Sequence, residues 1–191
     1  MEGHAAFLSK IVALLNEAGI QHMLAGSVAS MAYSGPRNTN DVDIVIHTTL
    51  RQLNTFLSTI DGDQYYVSPE SAREAFHEQS MFNLIDFTSG WKVDLIFLKS
   101  REYDLEEFER RVPGNVWGVE LPMVTPEDSI LSKLEWRKDS RSERQYEDAV
   151  RVAQSVWSKL DLPYLRRWGG QLGILQDLEQ LLHDADELRP R

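Results

Sequence analysis

The stretch MLAGSVASMAYSGPRNTNDVDIVIH, residues 23–47, decides the fold. It carries a Gly-Ser pair at Gly26 and Ser27, a turn with Pro36 and Arg37, and then Asp41 and Asp43 in an apolar run that reads as a β-strand. Residues i and i+2 of a strand project to the same side, so Asp41 and Asp43 point together while Val42 and Ile44 face the opposite layer. Burying a carboxylate unpaired costs several kcal/mol, so something must compensate them. A second apolar run, WKVDLIFL at 91–98, holds a third carboxylate, Asp94. If the two strands are neighbours, three carboxylates converge, a donor set suited to Mg²⁺ or Mn²⁺. The alternative is that each aspartate caps a strand end or pairs with Arg37 or Lys92.

Upstream, glycine lets a backbone approach a phosphate closely and serine offers a hydroxyl. A helix starting just after Ser27 would turn its N-terminal N–H groups and positive dipole end toward an anion. Residues 5–18 have apolar side chains at helical spacing and end at Gly19; a short strand follows at 20–26. Residues 48–60 read as a threonine-capped helix, and 62–79 as loop with one helical turn. The runs 81–89 and 91–98, separated by Ser-Gly, form a β-hairpin pattern. Residues 101–112 are a short helix or acidic loop, and 114–124 a strand pair or extended segment.

From Thr125 the pattern changes. The run TPEDSILSKLEWR opens with a threonine N-cap, proline at the first helical position and acids in the first turn. Everything beyond it is helix-like. The expectation is an α+β chain: residues 1–124 form a mixed sheet flanked by helices, and 125–191 a helical C-terminal region.

Composition narrows the classes of function. Of 191 residues, 42% are hydrophobic and 26% charged, which is globular. No cysteine is present, which excludes disulfides, thiolate zinc sites and cysteine nucleophiles. A formal net charge of -10 argues against broad binding to nucleic-acid phosphates. The N-terminal run is amphipathic with an acid near its start, unlike a signal peptide, and no segment approaches membrane-spanning length; a cytoplasmic protein without a membrane partner is expected. The basic run 133–144 alternates with acids and reads as a solvated helix face with ion pairs. His22, His47 and His77 show no metal-ligand spacing and read as surface or strand-end residues, and the five tryptophans read as packing.

Gly-Ser, a short helix, Asp-x-Asp in a strand and a third aspartate in a later strand together resemble the nucleotidyltransferase superfamily that includes DNA polymerase β. More narrowly, AGSVASMAYSGPRNTNDVDIVI looks like AbiEii-type toxins and related nucleotidyltransferase-like proteins, with Arg37, Thr39, Asp41 and Asp43 matching the Arg-x-Thr-x-Asp-x-Asp spacing. Lys92 to Asp94 is similar to the second motif, the helix bearing Lys133 to the third, and Arg144 to Asp148 to the fourth. The resemblance implies transfer of a nucleoside monophosphate from an NTP to a hydroxyl of RNA, protein or a small molecule, with Mg²⁺ or Mn²⁺ as cofactor and pyrophosphate released. It implies that Gly26 and Ser27 contact the triphosphate, that Asp41, Asp43 and Asp94 hold the metal, and that Asp94 also helps deprotonate the acceptor. Lys133 would bind phosphate oxygens, Asp148 would orient the acceptor or Lys133, and Arg37 would offset charge or fix the turn. It further implies a toxin–antitoxin or phage-defence setting, with a cognate antitoxin or a second copy of the chain as partner. The alternative is a partner-binding or scaffold protein of the same fold with little or no catalysis.

Overall fold

The computed structural model describes residues 2–35, 39 and 41–188. They fall into two compact units, Met1–Val28 with Asn38–Met123, and Ala29–Arg37 with Val124–Arg191. The architecture is α+β.

The first unit is built on a seven-stranded mixed sheet. Its strands are β1 (Gln21–Ala25), β2 (Asp41–His47), β3 (Tyr65–Tyr66), β4 (Met81–Asp86), β5 (Lys92–Phe97), β6 (Val112–Val116) and β7 (Val119–Met123), in the order β3-β4-β5-β2-β1-β7-β6. β2 runs parallel to β5 and antiparallel to β1, and β4 is antiparallel to β5. Alternation then sorts the side chains. Val42, Ile44 and Ile46 share one face with Val93, Leu95 and Phe97, and all six are buried.

Helices α1 (Glu2–Glu17), α3 (Leu50–Thr59) and α4 (Pro69–Glu78) serve that apolar face. Phe76 of α4 meets Phe97 edge-on at 5.6 Å between ring centroids, and Phe7 of α1 lies 6.4 Å from Tyr65. Phe56 of α3 is fully buried, which stabilises the fold by about 1.5–3 kcal/mol. Thr49 caps α3 in a complete capping box with Gln52, as its threonine predicts.

Three expectations are corrected. Residues 62–79 hold a ten-residue helix, α4, and the short strand β3, because Ser68 caps the helix by accepting from the Ser71 N–H and Pro69 pre-sets its first turn. Helix α2 (Gly26–Ser34) starts at Gly26 itself. His22 is buried within β1, its Nδ1 donating to the Ile20 carbonyl at 3.1 Å, and burial lowers its pKa. Segment 101–112 resolves as helix α5 (Glu102–Glu109) leading into β6, and the pair β6–β7 is antiparallel.

The second unit is helical beyond Thr125: α6 (Pro126–Ser140), α7 (Glu143–Val156), a 3₁₀ turn at Trp157–Lys159, α8 (Leu162–Gln171) and α9 (Leu175–Glu187). Thr125 caps α6, its Oγ1 accepting from the Asp128 N–H at 3.2 Å and donating to the Asp128 carboxylate at 2.6 Å. That carboxylate also takes the Tyr164 hydroxyl at 2.5 Å, tying α8 to the start of α6. No helix among the described residues is long and apolar enough to cross a membrane.

Candidate active site

The sheet face opposite the apolar core carries the carboxylates, and strand register sets their order. Ala25 lies opposite Asp43, Asp43 opposite Asp94, and Asp94 opposite Asn83, one row across β1, β2, β5 and β4. The next row joins Asp41, Lys92, Ile85 and Tyr66 across β2, β5, β4 and β3. Adjacent strands are about 4.8 Å apart, so Asp43 and Asp94 are side by side.

The desolvation penalty expected for both members of Asp-x-Asp falls mainly elsewhere. Asp41 is the first residue of its strand and its side chain is 59% exposed, whereas Asp94 is buried at 7%. Two groups compensate Asp94. The Asn83 amide donates to Oδ1, and the Lys92 ammonium lies 3.0 Å from Oδ2 and 3.6 Å from Asp41 Oδ1. Burial pulls the Lys92 pKa down, but the hydrogen bond and charge of Asp94, with Asp41 behind them, outweigh it and hold it above the ordinary lysine value. The lysine alternative for the aspartates is therefore realised on the same face as the proposed metal donors.

Gly26 closes the other flank of the row. Its φ is +62°, a region that strains any residue with a side chain, and a Cβ built there would stand 1.8 Å from Asp43 Oδ2. Only glycine leaves room for the Asp43 carboxylate beside the start of α2, where the helix dipole favours an anion. Ser27 follows, half-buried in the first turn. Arg37 lies outside the described residues. Thr39 Oγ1 donates to the Asp41 carbonyl at 3.3 Å and so fixes the entry to β2.

The three aspartates share a face and suit a hard divalent cation by their oxygen chemistry, and the room kept at Gly26 holds Asp43 against the helix start. As the side chains stand, Lys92 bridges Asp41 and Asp94. Among the described residues no group of three or more His, Cys, Asp or Glu is gathered as a metal cluster.

In the second unit, Lys133 and Asp148 are both buried and meet at 3.5 Å, and Lys133 Nζ donates to Gln145 Oε1 at 3.3 Å. Gln145 and Asp148 are three residues apart on α7, so one helix face holds the lysine of α6. Lys133 thus departs from a solvated helix face. Arg137, four residues on, is ion-paired as well, but across helices, to Glu143 of α7 at 3.2 Å and Asp177 of α9 at 3.1 Å, instead of at i,i+4 along one helix face. Trp91 and Trp168 are buried as packing residues, but Trp136 is exposed.

Asn83 escaped the sequence reading. Its only signal is one amide among the apolar residues that open β4, and its meaning depends on the hairpin register.

No family model matches the sequence, and no curated protein matches it. Solved structures do. An antigenic nucleotidyltransferase-like protein from Paracoccidioides brasiliensis aligns with a TM-score of 0.57 at 16% identity, covering 94% of this chain and 91% of that one. ANT(2'')-Ia in complex with adenylyl-2''-tobramycin aligns with a TM-score of 0.60 at 13% identity, covering 88% of this chain and 98% of the other. The lincosamide antibiotic adenylyltransferase LnuA, bound to lincomycin, gives 0.52 at 12% identity over 76% of this chain and 93% of its own. By this likeness of structure, the chain has the nucleotidyltransferase fold.

Proposed function

We propose that the chain is a nucleotidyltransferase that moves a nucleoside monophosphate from an NTP to a hydroxyl acceptor and releases pyrophosphate. The observation that carries this reading is the row Ala25, Asp43, Asp94 and Asn83, which begins beside Gly26 and α2 and places carboxylates on adjacent strands. Carboxylates side by side on adjacent strands are hard oxygen donors that suit a divalent cation.

In this reading Gly26 and Ser27 receive the triphosphate at the N-terminus of α2. Asp41, Asp43 and Asp94 would hold Mg²⁺ or Mn²⁺, which supplies positive charge to the phosphoryl oxygens when bound. Asp94, oriented by Asn83, accepts the acceptor's hydroxyl proton. The acceptor oxygen then forms a bond to the α-phosphorus while the bond from that phosphorus to the bridging oxygen breaks, and pyrophosphate leaves with the electron pair. Positioning and charge neutralisation do most of the work. Lys133 as a phosphate ligand, Asp148 as an orienting group and Arg37 as a charge at the turn enter through the family resemblance.

A small-molecule acceptor is favoured over a long RNA by the net charge of -10. The two structural neighbours hold small molecules, adenylyl-2''-tobramycin in ANT(2'')-Ia and lincomycin in LnuA.

Calorimetry with ATP, GTP, CTP and UTP, with and without Mg²⁺, tests the reading on the wild-type chain and on Asp41→Asn/Asp43→Asn. Metal-dependent binding that the double variant loses is the expected result. A folded wild-type chain that binds no NTP would refute it.

A further inference from the structure

The carboxylate face does not end at Asp94. Along β4 the residues that share it are Met81, Asn83, Ile85 and, just past the strand, Phe87, and only Asn83, the one opposite Asp94, is polar. Ile85 pairs with Tyr66 of β3, the edge strand, and the Phe87 N–H donates to the Gln64 carbonyl at 3.0 Å, which extends the pairing by one residue. Tyr66 and Phe87 are 53% and 60% exposed, with Ile85 between them and Lys92. Tyr66 of β3 and Phe87 at the end of β4 thus show water two aromatic rings side by side, with the half-buried Ile85 next to them.

We propose that Tyr66, Ile85 and Phe87 form the acceptor shelf: they hold the apolar body of a small hydroxyl-bearing molecule whose hydroxyl lies at Asp94. The inference rests on the transferase reading above. Gly26 and the start of α2 take up one flank of the Asp43–Asp94 row, so the triphosphate belongs on the β1 side and the acceptor on the β4 side. There the same register row that holds Asp41 and Lys92 runs into Ile85 and Tyr66. Two strand spacings put Tyr66 roughly 10 Å from β5, about the length of a fused two-ring molecule. Aromatic faces and an isoleucine recognise a planar or apolar surface and offer no charged group to a phosphate chain. The shelf therefore selects acceptors whose hydroxyl sits on an aromatic or aliphatic frame.

The test uses 2-naphthol as the probe and glucose as the polar control, with amide shifts of the full chain followed by NMR in the presence of Mg²⁺ and a non-hydrolysable ATP analogue. The expected result is that naphthol shifts Tyr66, Ile85 and Phe87 and glucose does not. Tyr66→Ser/Phe87→Ser should weaken naphthol binding by about tenfold or more, with ATP-analogue affinity unchanged. Both side chains are exposed, so the variant keeps the fold, which circular dichroism checks. If the analogue shifts Gly26 and Ser27 while naphthol leaves the shelf untouched, the shelf is overturned and the transferase reading stands. If naphthol binds but no nucleotide does, the transferase reading fails and the acceptor role fails with it. A monomer–dimer equilibrium in sedimentation that the double variant abolishes would give the shelf to a second copy and likewise overturn the proposal.

Discussion

A Cβ on Gly26 would stand 1.8 Å from Oδ2 of Asp43, so these two residues are fitted to one another across β1 and β2. Gly26→Ala meets both a backbone and a contact penalty. The left-handed φ costs roughly 1–2 kcal/mol for alanine, and the Asp43 carboxylate must move as well. The variant should melt several degrees lower and bind Mg²⁺·ATP about tenfold or more weakly. Scanning calorimetry and titration calorimetry measure the two effects, and full ATP affinity in the alanine variant would separate Gly26 from the site.

Lys92 is the cation that already serves Asp41 and Asp94. Lys92→Met leaves the buried Asp94 with the Asn83 amide but without its counter-charge, a loss of roughly 1–3 kcal/mol at neutral pH. The same change removes the competitor for a metal, so Mn²⁺ should bind the variant more tightly than the wild type. Titration of free Mn²⁺ by electron paramagnetic resonance reads this, and weaker binding in the variant would make Lys92 an ally of the metal. Because the folded lysine pKa is raised, its contribution is present below the ordinary lysine range and is lost as pH climbs through the folded value.

Much of this site was legible because period-2 patterning is local. DVDIVIH reads as a strand with its aspartates on one side, and β2 spans those seven residues. Register was not legible. A two-residue Ser89–Gly90 turn would set Asp94 opposite Ile85. Instead the buried Asp86 carboxylate accepts from the Thr88 and Ser89 N–H groups, each at 3.2 Å, and Gly90 N–H reaches the Asp86 carbonyl at 2.8 Å. The wider loop moves the pairing by two residues and brings Asn83 to Asp94. Likewise Ser68-Pro69-Glu70 carries the same helix-start signal as Thr125-Pro126-Glu127, but the residues after it are mostly polar, so the helix there depends on packing of Ala72, Ala75 and Phe76 that periodicity reports weakly.

The buried pair Lys133 and Asp148 gives a double-mutant cycle inside the second unit. Breaking a buried pair from one side typically costs about 3–5 kcal/mol, whereas replacing both partners by apolar groups of similar size is often neutral. Urea unfolding of Lys133→Met, Asp148→Leu and the double variant should show two large single losses and a double loss well below their sum. Additive losses would show that the pair contributes no coupling across α6 and α7.

Tyr33 supplies a test at alkaline pH. Its hydroxyl donates to the Val124 carbonyl at 2.7 Å, and burial first, then the charges of Glu127 and Asp128, raise its pKa from 10.0 to about 12. A raised folded value means that the neutral phenol contributes stability fully below the unfolded pKa of 10.0 and loses it as pH rises toward about 12. Tyr33→Phe should therefore be less stable than wild type at pH 8 by about 0.5–1.5 kcal/mol, the net worth of one hydrogen bond. The gap should narrow in urea unfolding series taken above pH 10, because only the wild type then has a phenol to ionise at this position. Tyr65 and Tyr146 are raised as well, so the comparison is with the Tyr33→Phe variant at each pH rather than with wild type at neutral pH. A gap that stays constant from pH 8 to beyond 11 would show that the Tyr33 hydroxyl ionises no differently in the folded and unfolded chains.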